Sequence, residues 1–573
     1  MFKIARGRIN SWQVLGAVIF MVFQVIATLY IPNLTSDIVN KGVITGDTNY
    51  IIHAGMQMII VSLITVVAAF GNVLMASQAS QGLGRKLRSD LFRKILYFTH
   101  DEFDKFETSS LTTRTTNDVI QIQNVMIMML RMMIMAPIML IGASFMAYQK
   151  NAEMTKIFLI SIPVLIVIVG LVMYFAVPLF KAMQKKTDRL NLVFREGLTG
   201  VRVIRAFRQD KFEQDRFKTA NADYTNNAVK VFSIVAVMFP VVTLVMSGTN
   251  VGITWLGAHY IANQSMEIGN MIAFMTYAMQ ILMSFMILSM VFVFVPRASA
   301  SAARIQEVFE TESKIDVVAK PAKVKDEASL SFSDVNFRYT GAEKLALDNL
   351  NFKVGPGQTL AIIGGTGSGK STMINLIPRF YDAETGVVSV NGTDVKALST
   401  EDVNSKVSMV PQKAILFKGT IRENMAYGKE DATDDEIWHA LEIAQADDFV
   451  KELDGQLDGE VEQGGDNFSG GQKQRLAIAR ALVKDASIYV FDDSFSALDF
   501  KTDLNLRTAL KNDEKISQAV VVIVGQRIST VADADQIVVL DDGKMVGLGT
   551  HQELKENNKT YQEIIESQLK EGK

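Results

Sequence analysis

Gly364-Gly-Thr-Gly-Ser-Gly-Lys-Ser371 follows directly on the apolar run Thr359-Leu-Ala-Ile-Ile363, and together they decide the fold of the second half of this chain. The eight residues fit G-x-x-x-x-G-K-[ST] at every fixed position. The apolar run predicts a short strand, and residues 371–376 predict a helix start. In that order, glycines let backbone N–H groups close around phosphate oxygens, and the helix adds its positive end. Gly364, Gly365, Thr366, Gly367, Ser368 and Gly369 would form the cradle, with Thr372 just beyond it. Lys370 would reach the β- and γ-phosphates of ATP, and Ser371 would ligate Mg²⁺.

Further elements follow in order. Val410-Pro-Gln412 offers a glutamine after a strand, and Asn467-Phe-Ser-Gly-Gly-Gln472 is a serine–glycine loop ahead of a helix over 473–482. Ile488-Tyr-Val-Phe-Asp492 reads as a buried strand ending in an acid suited to hold Mg²⁺. Ser496-Ala-Leu-Asp499 comes next, and Val521-Val-Ile-Val-Gly-Gln-Arg-Ile-Ser-Thr530 is a late strand leading into a turn.

The first half is different. The chain has 573 residues, 49% hydrophobic and 21% charged, with a mean hydropathy of +0.18, too apolar for an ordinary soluble enzyme. Six runs free of Asp, Glu, Lys and Arg, at 9–36, 50–84, 132–149, 157–180, 231–266 and 268–296, are long enough to cross about 30 Å of hydrocarbon as helix. The third extends back to residue 119 if Arg131 is tolerated; a charge at that depth is a functional candidate, with snorkelling as its plainer reading. Lys3, Arg6 and Arg8 precede the first run, Arg85, Lys86, Arg88, Arg93 and Lys94 follow the second, and Lys181, Lys185, Lys186 and Arg189 follow the fourth. The positive-inside rule therefore puts both termini in the cytoplasm of a multi-pass protein in a bilayer. Two long basic loops would carry the helices past the membrane surface. Met271, Met275, Met279, Met283, Met286 and Met290 recur at spacings of four and three on one helical face. They read either as packing or as a soft wall for varied apolar ligands.

Net charge is −3, which gives no field for nucleic acid, and the absence of cysteine excludes disulfides and thiolate metal sites. The five histidines have no ligand spacing. The expected division is a six-helix transmembrane domain over 1–318, a linker over 319–328 and an α/β P-loop nucleotide-binding domain over 329–573.

Six spans followed by this motif set resemble a half-transporter of the ATP-binding-cassette (ABC) exporters, over the whole chain. By that resemblance Tyr339 stacks on adenine and Gln412 senses Mg²⁺. Ser469, Gly470, Gly471 and Gln472 form the signature that contacts nucleotide on a second cassette, and Asp499 lies in the loop linking the two sites. Glu462 occupies the inter-domain contact loop, and residues 103–106 and 198–203 look like the coupling helices that press on the cassettes. The chain departs from the family twice. The general-base glutamate is replaced by Asp493, and the switch histidine by Gln526. The phosphate and Mg²⁺ residues Lys370, Ser371 and Asp492 are intact, as is the signature. The pattern resembles the degenerate-site subunit of heterodimeric bacterial multidrug exporters, with a second half-transporter as partner, amphipathic small molecules as cargo and the cell membrane as location. The same architecture serves a lipid, peptide or porphyrin cargo, or an ATP-gated regulator that pumps nothing. Six spans exclude a soluble ATPase.

Overall fold

The computed structural model describes residues 2–312, 315 and 320–571, without the side chains of 2, 289–293 and 569–571. Val318 and Ala319, where the expected boundary falls, lie outside the described residues, as does the side chain of Met290. The chain forms two compact units: Met1–Leu96 with Thr108–Thr311, and Tyr97–Glu107 with Glu312–Lys573. The short segment at 97–107 thus groups with the C-terminal unit.

In the first unit, six helices among the described residues are long and apolar enough to cross a membrane: Ser11–Val43, Thr48–Leu96, Thr108–Lys150, Ala152–Thr199, Asp210–Ala262 and Ile268–Leu288. Several far exceed the charge-free runs. The fifth has 53 residues, about 80 Å of helix against a hydrocarbon layer of about 30 Å. A charge-free run marks only the part in lipid; the helix continues wherever the next residues are good helix formers. The fifth ends at Ala262, short of 266, because Asn263 leaves the helix and Gln264 turns the chain with φ +57.

The third span runs unbroken from Thr108 to Lys150 through two π-helical turns, Arg114–Asp118 and Met129–Met133. Arg131 sits in the second of these, exposed. The other π turn aims Asp118 into the unit, where its carboxylate is buried. Asp118 accepts from Arg304 Nε at 2.8 Å, from a second nitrogen of the same guanidinium and from Ser301 Oγ at 2.9 Å. Gly84 lets another polar side chain in: a Cβ there would lie 2.0 Å from Gln123 Nε2, and Gln123 instead donates to Gln81 Oε1 at 2.8 Å. Buried polar side chains in this core turn to backbone carbonyls of neighbouring helices: Asn72 donates to Ala17 O and Tyr277 OH to Leu29 O, whereas Gln280 Oε1 is buried without a partner among the described residues.

The methionine face divides. Met271 and Met275 pack against the main apolar cluster and Met286 against a smaller one, whereas Met279 and Met283 are exposed. Helix 198–203 is interrupted at Gly200: one helix ends at Thr199, another runs Val201–Ala206 with no buried residue, and Leu198, Val203 and Phe207 are exposed.

The second unit is built on a ten-stranded sheet. Its central block, in the order Gln536–Asp541, Thr359–Gly364, Val520–Val524, Ile488–Asp492, Val407–Val410, is parallel throughout. Val520–Val524 and Ile488–Asp492 are buried at every residue, as parallel strands covered on both faces must be. The antiparallel strands Leu330–Phe337, Leu347–Val354 and Thr385–Val390 extend one side. Within this unit, His100–Phe106 is a short helix closed by a capping box between Thr99 and Glu102. His100 lies against Phe380 and Tyr381, at 4.9 and 5.7 Å between ring centres, and Thr340 donates to Asp101 at 2.8 Å.

Removing the Asp118 carboxylate orphans a guanidinium that is half exposed, so the loss is smaller than for a fully buried pair. Asp118→Ala is expected to cost about 1–3 kcal/mol, read as a lower melting temperature of the purified protein in detergent. A melting temperature equal to that of the unaltered chain would show that the network contributes nothing.

Candidate nucleotide site

In a parallel sheet every strand ends at the same edge, and ligands bind where the loops leave the carboxyl ends. Here four such ends are neighbours. Thr359–Gly364 runs into the glycine loop, Ile488–Asp492 into Asp493, Val407–Val410 towards Gln412 and Val520–Val524 towards Gln526. Register fixes them side by side: Val524 pairs with Asp492, and Val410 with Phe491.

The helix after the glycine loop begins at Lys370, one residue earlier than the sequence predicts, and runs to Asn375. Gly367 and Gly369 hold φ +84 and +100, a region that disfavours side chains. A Cβ on Gly369 would also lie 2.9 Å from Leu347 Cδ2. Lys370 Nζ donates to Gly364 O at 2.8 Å and Gly365 O at 2.7 Å. The ammonium is therefore parked on the loop's own carbonyls, and burial lowers its pKa, opposed by Asp493 and Asp492. Ser371 Oγ stands 3.4 Å from Asp492 Oδ1. Burial raises the pKa of Asp492, against the hydrogen bond from Ser371.

A cavity of about 280 Å³ opens beside the loop, lined in part by Tyr339, Gly367, Lys370, Thr372 and Asp542. Tyr339 bonds Thr372 Oγ1 at 2.9 Å and meets Phe337 and Tyr381 edge-on. The turn at Asp542 and Gly543, both at positive φ, presses on the loop, and Gly543 N donates to Ser368 O. Its place was legible as an Asp-Gly turn between two apolar strands, though its contact with the loop was not. Among the described residues, Ser368 Oγ is buried with no hydrogen-bond partner, and a Cβ at Gly365 or Gly367 would meet nothing within 4 Å. An unsatisfied hydroxyl, open glycines and a lysine that must release two carbonyls suit a polyphosphate with its Mg²⁺.

The two departures touch. Gln526 Nε2 donates to Asp493 Oδ2 at 2.7 Å, and Gln412 Nε2 stands 3.5 Å from the same oxygen. Asp493 is buried, holds φ +49, and its amide donates to Val524 O at 3.1 Å. Burial raises its pKa, opposed by the Gln526 hydrogen bond and the Lys370 charge.

One contact had no signal beyond a single glutamine. Gln568, on the helix Lys559–Glu571, accepts from Ile528 N at 2.9 Å and donates to Gln526 O at 2.6 Å.

The signature forms a second, separate surface. Ser469 caps the helix Gly470–Val483 in a capping box with Gln472, both Ser469 and Gly470 are exposed, and among the described residues no hydrogen bond of Ser469 or Gln472 reaches the phosphate loop. Asp499 caps the helix Phe500–Asn512, accepting from Thr502 N at 3.0 Å and Thr502 Oγ1 at 2.7 Å. Those bonds hold its carboxyl below the usual range. Glu462 is exposed just ahead of the signature.

Comparison with known proteins fits both units. The ABC transporter transmembrane region family matches residues 14–285, and the ABC transporter family matches residues 347–496. An uncharacterized ABC transporter ATP-binding protein of Mycobacterium tuberculosis is 40% identical over 99% of this chain and 98% of its own length. YfiB of Bacillus subtilis, also an uncharacterized ABC transporter ATP-binding protein, is 36% identical over 96% of both. The ATP-dependent lipid A-core flippase of Hahella chejuensis is 30% identical over 88% of this chain and 85% of its own. In fold, a bacterial Atm1-family ABC exporter solved with ATP bound superimposes with a TM-score of 0.82, at 23% identity, over 97% of this chain and 98% of that one.

Lys370→Ala removes the ammonium that bonds the loop's carbonyls. Photolabelling of this chain by azido-ATP is expected to fall by about tenfold or more, as for loss of a charge-assisted phosphate contact. Undiminished labelling would place nucleotide elsewhere.

Proposed function

The chain belongs to the ABC transporter family, with a membrane region and an ATPase domain on one polypeptide, and on that premise we propose that it exports amphipathic small molecules as the slow-site half of a heterodimer. The observation that carries this reading is the hydrogen bond from Gln526 to Asp493. The carboxylate at the base position is one methylene shorter than glutamate, and its outer oxygen is already engaged by an amide. A displacement of about 1 Å at a reacting centre costs on the order of a hundredfold in rate. Glutamine also offers no imidazolium to a γ-phosphate.

Bound Mg²⁺–ATP would supply a phosphoanhydride for hydrolysis. Ser371, Asp492 and Gln412 are the residues that would hold the metal, and Lys370 with the open glycines would hold the phosphates. With Asp493 engaged by Gln526, water would be activated slowly and bound ATP would stay intact for longer. Ser469 and Gly470, exposed and pre-set by their capping box, would serve the nucleotide bound to the partner half, and Asp499 would join the two sites. The partner would bring a glutamate and a histidine at the positions of Asp493 and Gln526. A lipid cargo is the second reading, supported by similarity to a lipid A-core flippase.

Coexpression with a second half-transporter, followed by Mg²⁺-ATPase assay in lipid, tests the asymmetry. Asp493→Asn is expected to leave about half or more of the turnover, because little chemistry rests on it, while Ser469→Ala is expected to remove about tenfold or more. Near-complete loss from Asp493→Asn would mean that it is a working base. For cargo, Met279→Ala or Met283→Ala, both at exposed positions, is expected to change the resistance spectrum at near-normal expression; an unchanged spectrum would assign both to contact with lipid.

Orientation in the cell membrane, with both termini cytoplasmic, is open to test because the chain has no cysteine. Thr45→Cys and Gln264→Cys are expected to react with an impermeant thiol reagent in intact cells and Gln184→Cys is not. The reverse pattern would invert the topology.

A further inference from the structure

The switch segment begins where the strand Val520–Val524 ends and the short helix Ile528–Val531 begins. Two backbone groups there need partners that the segment cannot supply. Arg527 stands at the cap of the helix and makes no side-chain cap, so the Ile528 N–H is an orphan donor of a helix start. The Gln526 carbonyl lies beyond the last ladder bond of its strand. One side chain satisfies both: Gln568 accepts from Ile528 N and donates to Gln526 O.

Gln568 is delivered by a helix that is itself anchored. Tyr561, Ile564, Ile565 and Gln568 recur at steps of three and four, which puts them on one face. Tyr561 is fully buried, its hydroxyl 2.7 Å from His551 Nδ1, and Ile564 and Ile565 pack on the cluster that contains Val531 and Ile528. The amide is therefore fixed at its far end by packing and at its near end by two hydrogen bonds. From the segment it holds, the Gln526 side chain reaches Asp493 Oδ2.

We propose that Gln568 is a positioning residue for the nucleotide site, acting through Gln526 on Asp493. This rests on the reading of that edge as an ATP site. Without the bridge, the Gln526 backbone gains freedom, its amide leaves the carboxylate for part of the time, and the γ-phosphate end of the site loosens.

The test uses the full-length exporter in lipid, with azido-ATP as probe and amide hydrogen exchange as a second readout. Gln568→Ala removes both hydrogen bonds, and Gln568→Met removes them at nearly constant length, which preserves packing if the alanine variant is poorly folded. Either variant is expected to speed exchange at Ile528 by about tenfold, the loss of one protecting partner, and to speed release of azido-ATP from this chain about threefold. In a Gln526→Ala background the same substitution is expected to change release by less than about twofold, because coupled residues are non-additive. An effect of equal size in both backgrounds would make Gln568 a structural residue only. Unchanged exchange at Ile528 would remove the bridge altogether. Absence of azido-ATP labelling in the unaltered chain would contradict the ATP reading instead, since the exchange readout needs no nucleotide.

Discussion

A carboxylate at the end of a buried strand is the constraint around which the cassette is arranged. Asp493 follows directly on Ile488–Asp492, whose residues are all buried, and takes a left-handed backbone conformation that fixes where its side chain can go. Its Oδ2 accepts from Gln526, and its own amide is bonded to Val524 on the adjacent strand. Burial favours the neutral acid, and the amide and the Lys370 ammonium favour the charged one. Burial is the larger influence, and the net direction is upward. The rest of the edge can be placed relative to it: Asp492 one residue before, the glycine loop two strands over, and Gln526 after the strand between.

Much of this edge was legible in the sequence because parallel strands leave a strong trace. Short, largely apolar runs followed by glycine, proline or an acid mark strand ends, and a parallel sheet brings strand ends together. The glycine loop could be read as a phosphate cradle because the motif specifies it, whereas the left-handed conformations of Gly367 and Gly369 came from the structure. The pairing of Asp493 with Gln526 could not be read, since it depends on register between strands about thirty residues apart in the chain. Gln568 was further out of reach. A glutamine seven residues behind Tyr561 and four behind Ile564 falls on their face of the helix, but spacing does not say which backbone groups it meets.

In the membrane half, the number of spans was legible and their ends were not. Charge-free runs report the hydrocarbon layer, whereas the helices continue through charged stretches such as 181–199 and 210–230. The π turns at Arg114–Asp118 and Met129–Met133 left no sequence signal, yet one of them is what turns Asp118 toward Arg304. Gly84 is similar: it reads as one more small residue in a helix until Gln123 is seen filling the space above it. The methionine face shows the limit of periodicity, because spacing placed the residues on one stripe and only packing divides Met275 from Met279.

The nucleotide found on this chain during turnover tests the asymmetric site most directly. The full-length exporter is given radiolabelled azido-ATP and Mg²⁺ at steady state, crosslinked by light, and the label on each chain is identified as triphosphate or diphosphate. A site in which Gln526 occupies Asp493 should hold mostly triphosphate on this chain while the partner chain carries diphosphate. Equal diphosphate on both chains would contradict it, and Asp493 would then be a base in regular use.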